Sequence, residues 1–223
     1  SILCLMPKEE FIAEDTAPKK KRGTLFHLFD VALNIVIILA IVGVIRTFLV
    51  SPFQVEGHSM DTTLADQEYI IINKFSYFID EPNRGDIVVF RPPTDPRKHY
   101  VKRIIGLPGE TIIIRDGFVY IKRDKEGGEI RLPEPYLDPR NLGHTYKHPP
   151  GSGNTEEVVY EVPTNEFFLL GDNRMGSLDS RSFTGAGNTS MPYVDKENIK
   201  GRVWFVALPI TKIHAFEPPL YGF

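Results

Sequence analysis

Cysteine is almost absent from this chain of 223 residues: the single one, Cys4, lies close to the N-terminus. One thiol closes no internal disulfide, and no Cys/His grouping has metal-site spacing, so neither a disulfide framework nor a metal or other cofactor is expected. Net charge is equally slight, at -3 with a pI near 6.1. Without a basic face there is no footprint for nucleic acid. After residue 60 no helical pattern runs beyond a couple of turns, and no internal repeat is evident. What remains is one dense basic run, Lys19-Lys20-Lys21-Arg22, directly before one long apolar run over residues 25–50.

The strictly apolar heart of that run, 31–45 apart from Asn34, would rise only ~22 Å as a helix, short of the ~30 Å hydrocarbon core of a bilayer. Taken over 25–50 it rises ~39 Å, with His27, Asp30 and Arg46 near the ends where polar groups can snorkel. A single tilted transmembrane helix fits; a buried core helix or a cleavable signal segment are the alternatives. Arg46-Thr47-Phe48-Leu49 offers no small-residue cleavage site, which favours a retained anchor. The basic flank predicts a cytoplasmic N-terminal side. Residues 1–24 then form a cytoplasmic tail, 25–50 the anchor and 51–223 an extracytoplasmic domain. The chain opens on Ser1 rather than Met, and its natural start is left unassigned.

Beyond the anchor the pattern changes to short β-rich runs at 69–74, 87–90, 111–114, 118–121, 167–170 and 203–207. Arg84-Gly85-Asp86, Leu107-Pro108-Gly109, Asp116-Gly117 and Gly127-Gly128 punctuate them as turns. The expected fold is mainly β: an antiparallel sheet domain preceded by one N-terminal transmembrane helix. Residues 123–163, rich in Gly, Pro and Asn, read as long loops or a peripheral insertion. Trp204 and Phe205 read either as part of a core strand or as aromatics at a membrane interface.

Three clusters carry chemistry. Gly57-His58-Ser59-Met60 begins seven residues after the apolar run, and Ser59 lies nine residues beyond Val50, an extended reach of at most ~30 Å. A serine hydroxyl needs a positioned base and donors for the oxyanion that forms. None of the six histidines (His27, His58, His99, His144, His148, His214) stands in a triad motif, although triads assemble in space. Lysine is the other candidate base. Lys102, in Tyr100-Val101-Lys102-Arg103-Ile104-Ile105, sits where apolar neighbours can desolvate an amine, and Lys74 is a rival. A working base near neutral pH must fall ~3 units from ~10.4, roughly 4 kcal/mol, which burial can supply. The third cluster, Gly171-Asp172-Asn173-Arg174 with Ser177, Asp179, Ser180 and Arg181, follows an apolar strand and by itself reads as a polar loop.

In this order the clusters resemble the bacterial type I signal peptidases (leader peptidases), membrane-anchored serine proteases with a Ser/Lys dyad. The likeness runs through Ser51-Pro52-Phe53-Gln54-Val55, Ser59-Met60 with Thr63-Leu64, Arg84-Gly85-Asp86-Ile87-Val88-Val89-Phe90, the block 100–109, and 171–181. It leaves the middle stretch and the C-terminus unmatched. The resemblance implies Ser59 as nucleophile and Lys102 as general base, with Ser177 hydrogen-bonded to the Lys102 amine and Asp179 and Arg181 as a supporting ion pair. It also implies that the Ser59 backbone amide serves the oxyanion hole. Phe53, Val55, Met60, Tyr100 and Val101 would line shallow apolar pockets, with the substrate added as an extended strand. The implied partners are exported preproteins and membrane lipid, the implied cut follows an Ala-X-Ala-like site through an acyl-enzyme, and the implied location is the bacterial cytoplasmic membrane.

Some positions depart from the family pattern. Thr62 stands where Pro is typical, Gly57 where some members carry a Ser donor to the oxyanion, and Met175-Gly176 where a polar pair is commoner. Relatives of the endoplasmic-reticulum type carry His in the Lys102 position, so Lys102 favours the bacterial type. Two other readings remain: a membrane-tethered protease related to the self-cleaving repressors, and a β-rich binding or assembly module that has lost activity.

Overall fold

A computed structural model of the chain describes residues 23–124, 126–146 and 157–222. Cys4, the basic run 19–22 and His148 lie outside the described residues.

Helix α1 (Thr24–Val44) has 21 residues and rises ~32 Å, close to the hydrocarbon thickness of a bilayer. None of its residues is buried by the protein. Its one central amide side chain, Asn34, donates to the Asp30 carbonyl at 2.7 Å, so that polar group is satisfied within the helix. The apolar run does not stay helical to residue 50. Ile45–Leu49 widens into a π turn, and Val50 already opens a strand, pairing with Asn73. Among the described residues α1 with this turn is the one helix long and apolar enough to cross a membrane.

The rest of the chain is antiparallel β structure in two sheets. The larger is built from β1 (Val50–Gln54), β2 (Tyr69–Asn73), β3 (Ile87–Phe90), β4 (Tyr100–Gly106), β9 (Glu166–Leu170), β10 (Val194–Asp195), β11 (Ile199–Leu208) and β12 (His214–Ala215). Its strand order is β1-β2-β11-β3-β4-β9-β10, with β12 on β11. The smaller sheet has β5 (Thr111–Arg115), β6 (Phe118–Lys122), β7 (Ile130–Arg131) and β8 (Val158–Glu161) in the order β7-β6-β5-β8. A four-residue helix, α2 (Ser76–Ile79), follows β2. The expected strands fall on β2, β3, β5, β6, β9 and β11, the first of them running one residue past β2. The stretch 123–163 contributes more than loops, since β7 and β8 complete the smaller sheet through pairing with β6 and β5.

Apolar clusters set these sheets. Ile105, Ile112, Ile114, Val119, Ile121, Leu132 and Phe168 close one core between the smaller sheet and β4–β9. Val55, Met60, Leu64, Ile70, Ile72, Val89 and Val203 close another beneath the N-terminal end of the domain. In β11, Val203 and Val206 point inward while Trp204 is 51% exposed and Phe205 is half-buried. The core-strand reading therefore fails for Trp204. A register shift between Val203 and Phe205 sets the alternation that leaves the indole outside.

Candidate active site

Ser59 is carried on the turns after β1. Val55 at 4%, Met60 at 1% and Leu64 at 0% exposure anchor this segment in the core. The amides of Thr63 and Leu64 both donate to the Met60 carbonyl, at 2.8 and 2.9 Å. Thr63 Oγ1 donates to Asp172 Oδ2 at 2.5 Å, and Asp172 also takes Arg103 Nε and Nη2 at 2.9 and 2.6 Å. Asn173 pins the Ser59 segment from the other side: its amide donates to the Ser59 carbonyl at 3.1 Å and its side chain to the His58 carbonyl at 2.9 Å. These bonds hold both flanks of Thr62, which stands where Pro would fix φ.

Lys102 comes from β4, whose pairing with β3 sets Lys102 opposite Val88. Its amine donates to Ser59 Oγ at 2.6 Å and to the Val101 carbonyl at 2.8 Å. The residue is 3% exposed. Burial disfavours the ammonium and brings its pKa down to about 8, against the pull of the Asp179 and Asp172 carboxylates and with help from the Arg181 charge.

The loop after β9 closes the site. Arg181 grips Asp179 in a two-pronged pair at 2.8 and 2.7 Å, and Asp179 Oδ2 accepts the Gly171 amide at 3.0 Å. Burial alone would raise the Asp179 pKa, but Arg181, the Gly171 amide and the nearby Ser177 hydroxyl hold it below the usual carboxylate range. Arg174 turns away from the site to Glu134 and Thr145, so the region between the sheets supplies a buried carboxylate beneath this loop.

Ser177 differs from expectation. Its hydroxyl oxygen is buried, and no partner meets hydrogen-bond geometry among the described residues. The bond expected from it to the Lys102 amine is not formed, because that amine is turned to Ser59 and to the Val101 carbonyl. Ser177 instead packs on Gly171: a Cβ added there would stand 2.1 Å from Ser177 Oγ and 2.4 Å from the Ser59 carbonyl oxygen. Only glycine lets these two segments approach so closely.

A cleft of about 480 Å³ opens over Ser59 and Lys102. Phe53, Val55, Tyr100 and Val101 line it, whereas Met60 is buried in the core beneath. Sequence reasoning missed Ile70, Val89, His99 and Leu178, which also form its walls. Burial alternates in β2 and is continuous in β3, which makes Ile70 and Val89 inward-facing, but nothing local shows which inward residues border a cleft. His99 packs its ring on Phe53 at 5.4 Å. Partial burial, with the Arg91 and Lys200 charges, lowers its pKa. Among the described residues no histidine hydrogen-bonds Ser59. The rival Lys74 is also elsewhere, donating to the carbonyls of Arg46 and Thr47 at 3.3 Å each.

The family described as "Signal peptidase, peptidase S26" matches residues 28–208 of this chain. The chain is 34% identical over 202 residues to "Signal peptidase I" of Bacillus licheniformis, covering 91% of this chain and 98% of that protein. It is 35% identical over 208 residues to "Signal peptidase I T" of Bacillus subtilis (strain 168), covering 93% and 98%. A crystal structure of a signal peptidase I from Enterococcus faecalis V583 aligns with a TM-score of 0.39 at 30% identity, covering 56% of this chain and 97% of that one.

Proposed function

We propose, on the premise that this chain belongs to the signal peptidase family, peptidase S26, that Ser59 and Lys102 are the nucleophile and general base of its reaction. As a member of that family it is a serine endopeptidase that removes signal peptides. The observation that carries the assignment is the 2.6 Å contact between Ser59 Oγ and an amine that burial has brought to a pKa of about 8. At neutral pH about one amine in ten is uncharged and able to accept a proton. In that form the same contact lets the Ser59 hydroxyl donate to Nζ as Oγ attacks the scissile carbonyl. The leaving amine takes the proton from Lys102, leaving an ester on Ser59. Lys102 then activates the water that hydrolyses it. Asp179 and Arg181 act by setting the charge felt by the amine, and the resemblance assigns the Ser59 amide to the oxyanion.

The cleft accounts for the substrate. Between Tyr100 and Lys102 only β3 pairs with β4 among the described residues, because β9 joins from Arg103 onward. That open edge offers main-chain groups to an extended peptide. Val55, Ile70, Val89 and Val101 leave shallow apolar walls suited to small side chains, as in an Ala-X-Ala site before the cut bond. Residues 25–50 anchor the chain in the bacterial cytoplasmic membrane, with the tail 1–24 held inside by the basic run and the domain 51–223 outside. Exported preproteins, their signal segments already in the bilayer, are the partners.

The test is cleavage of a preprotein with an Ala-X-Ala site by the full chain in detergent. Ser59→Ala and Lys102→Ala should each lower kcat by at least about a thousandfold, and the wild-type rate should climb with pH through about 8. Undiminished cleavage by Lys102→Ala would remove lysine from the mechanism.

A further inference from the structure

A second cavity, of about 410 Å³, lies away from the catalytic cleft and shares no residue with it. Three lysines line it, Lys74, Lys196 and Lys200, together with Thr47, Tyr77 and one acid, Glu197. The acids nearby do not neutralise this charge evenly. Lys196 is paired with Glu81, whereas Lys74 donates to the carbonyls of Arg46 and Thr47, and Lys200 donates to the Glu197 carbonyl at 3.0 Å. Two ammonium groups therefore sit at one cavity held by neutral oxygens.

We propose that this cavity binds the phosphate of an anionic phospholipid headgroup. Its place in the chain selects that source of phosphate. Thr47 follows the last residue of α1, Val44, by only three positions, so a membrane-spanning α1 delivers this cavity wall to headgroup level. The segment that supplies Lys74 and Tyr77 also carries Phe75 and Ile79, 46% and 69% exposed, an apolar pair next to cationic side chains. Lysines beside exposed apolar groups are the composition that holds an anionic membrane surface. Partial burial and then the Arg91 charge lower the Lys200 pKa, only partly opposed by the Glu197 carboxylate. A bound phosphate would relieve both lysines and would fix the orientation of the domain against the bilayer.

The inference rests on the reading of α1 as a membrane anchor, which fails separately if the chain is extracted from membranes by alkaline carbonate. The lipid site is tested by native mass spectrometry of the full chain released from neutral detergent carrying phosphatidylglycerol. The wild type should retain one phosphatidylglycerol. Lys74→Gln, Lys196→Gln and Lys200→Gln combined should weaken retention at least tenfold, and the three Lys→Arg changes should restore it. Lys122→Gln, on β6 of the smaller sheet and not among the cavity's lining residues, should leave retention as it is. Equal retention by the glutamine variant, equal retention of phosphatidylcholine, or displacement by inorganic phosphate at equal concentration would each overturn the proposal, the last by assigning the cavity to free phosphate. If the glutamine variant does not fold, the arginine variant still decides: loss of lipid there, with the charge kept, would also overturn it.

Discussion

The smaller sheet and the catalytic corner of the larger one are both thoroughly buried, yet they are held by different forces. Between β5, β6 and the strands they face, the buried contacts are Ile, Val, Leu and Phe, close-packed with Tyr160. Around Ser59 the buried groups are Lys102, Arg103, Asp172, Arg174 and Asp179, all but the lysine locked in two-pronged or multiple ion pairs. Apolar packing holds a shape at any pH. Paired charges hold a shape and also set the protonation of whatever shares their dielectric, which here is one lysine without a carboxylate of its own. The catalytic corner exchanges some stability for a tuned amine, and the smaller sheet supplies the rigidity behind it.

That contrast can be broken most sharply at Asp179. Asp179→Ala leaves the Arg181 guanidinium buried and unpaired and should cost about 3–5 kcal/mol in urea unfolding. It should also move the rising limb of the pH–rate profile below 8, because the carboxylate that favours the Lys102 ammonium is gone. Lys102→Met should do the opposite to stability. The lysine has a folded pKa of about 8 against 10.5 unfolded, so the folded chain binds fewer protons across that window and stability rises with pH through it. Below pH 8 the buried amine therefore costs its full amount, on the order of 3 kcal/mol. The methionine variant should melt higher than wild type at pH 7, with the gap closing towards pH 10.5. A gap independent of pH would show that packing, not charge, separates the two proteins.

Gly171→Ala probes the seam where the loop meets the Ser59 segment. The added methyl meets Ser177 Oγ and the Ser59 carbonyl, so Ser59 must shift, and kcat should fall roughly a hundredfold with little change in KM. An unchanged kcat would mean that the loop yields instead of the nucleophile. The smallest effect belongs to the smaller sheet. Ile121→Val removes one buried methyl and should cost about 1 kcal/mol while leaving the pH–rate profile in place. A displaced profile would show that the two regions are not independent.

Much of this contrast was legible beforehand. Alternating β-branched residues marked 111–114 and 118–121 as strands because burial of one face imposes a period of two. β7 and β8 escaped notice: two- and four-residue strands are too short for a period to show, and their pairing is decided by β5 and β6. The helical run ends at Leu49, one residue before the end of the apolar stretch, because Val50 is as apolar as the helix and only its pairing with Asn73 marks the change to strand. Ser177 was assigned to the lysine by resemblance, but its hydroxyl rests against Gly171, a contact that depends on the fold of two separate segments.

The sequence by itself determined the order of parts: an apolar helix, a serine soon after it, a lysine in a β-rich run, and a loop of paired acids and arginines. Such features are local, and local patterns report helix, strand and turn directly. Only the tertiary structure decided that Lys102, not a histidine or Lys74, meets Ser59 across 43 residues of chain. It alone turned Arg174 onto Glu134 and gathered Lys74, Lys196 and Lys200 around one cavity. The reason is physical. A pKa, a hydrogen bond or a cavity depends on every group within a few ångströms, and those groups come from parts of the chain that carry no information about one another until they are packed together.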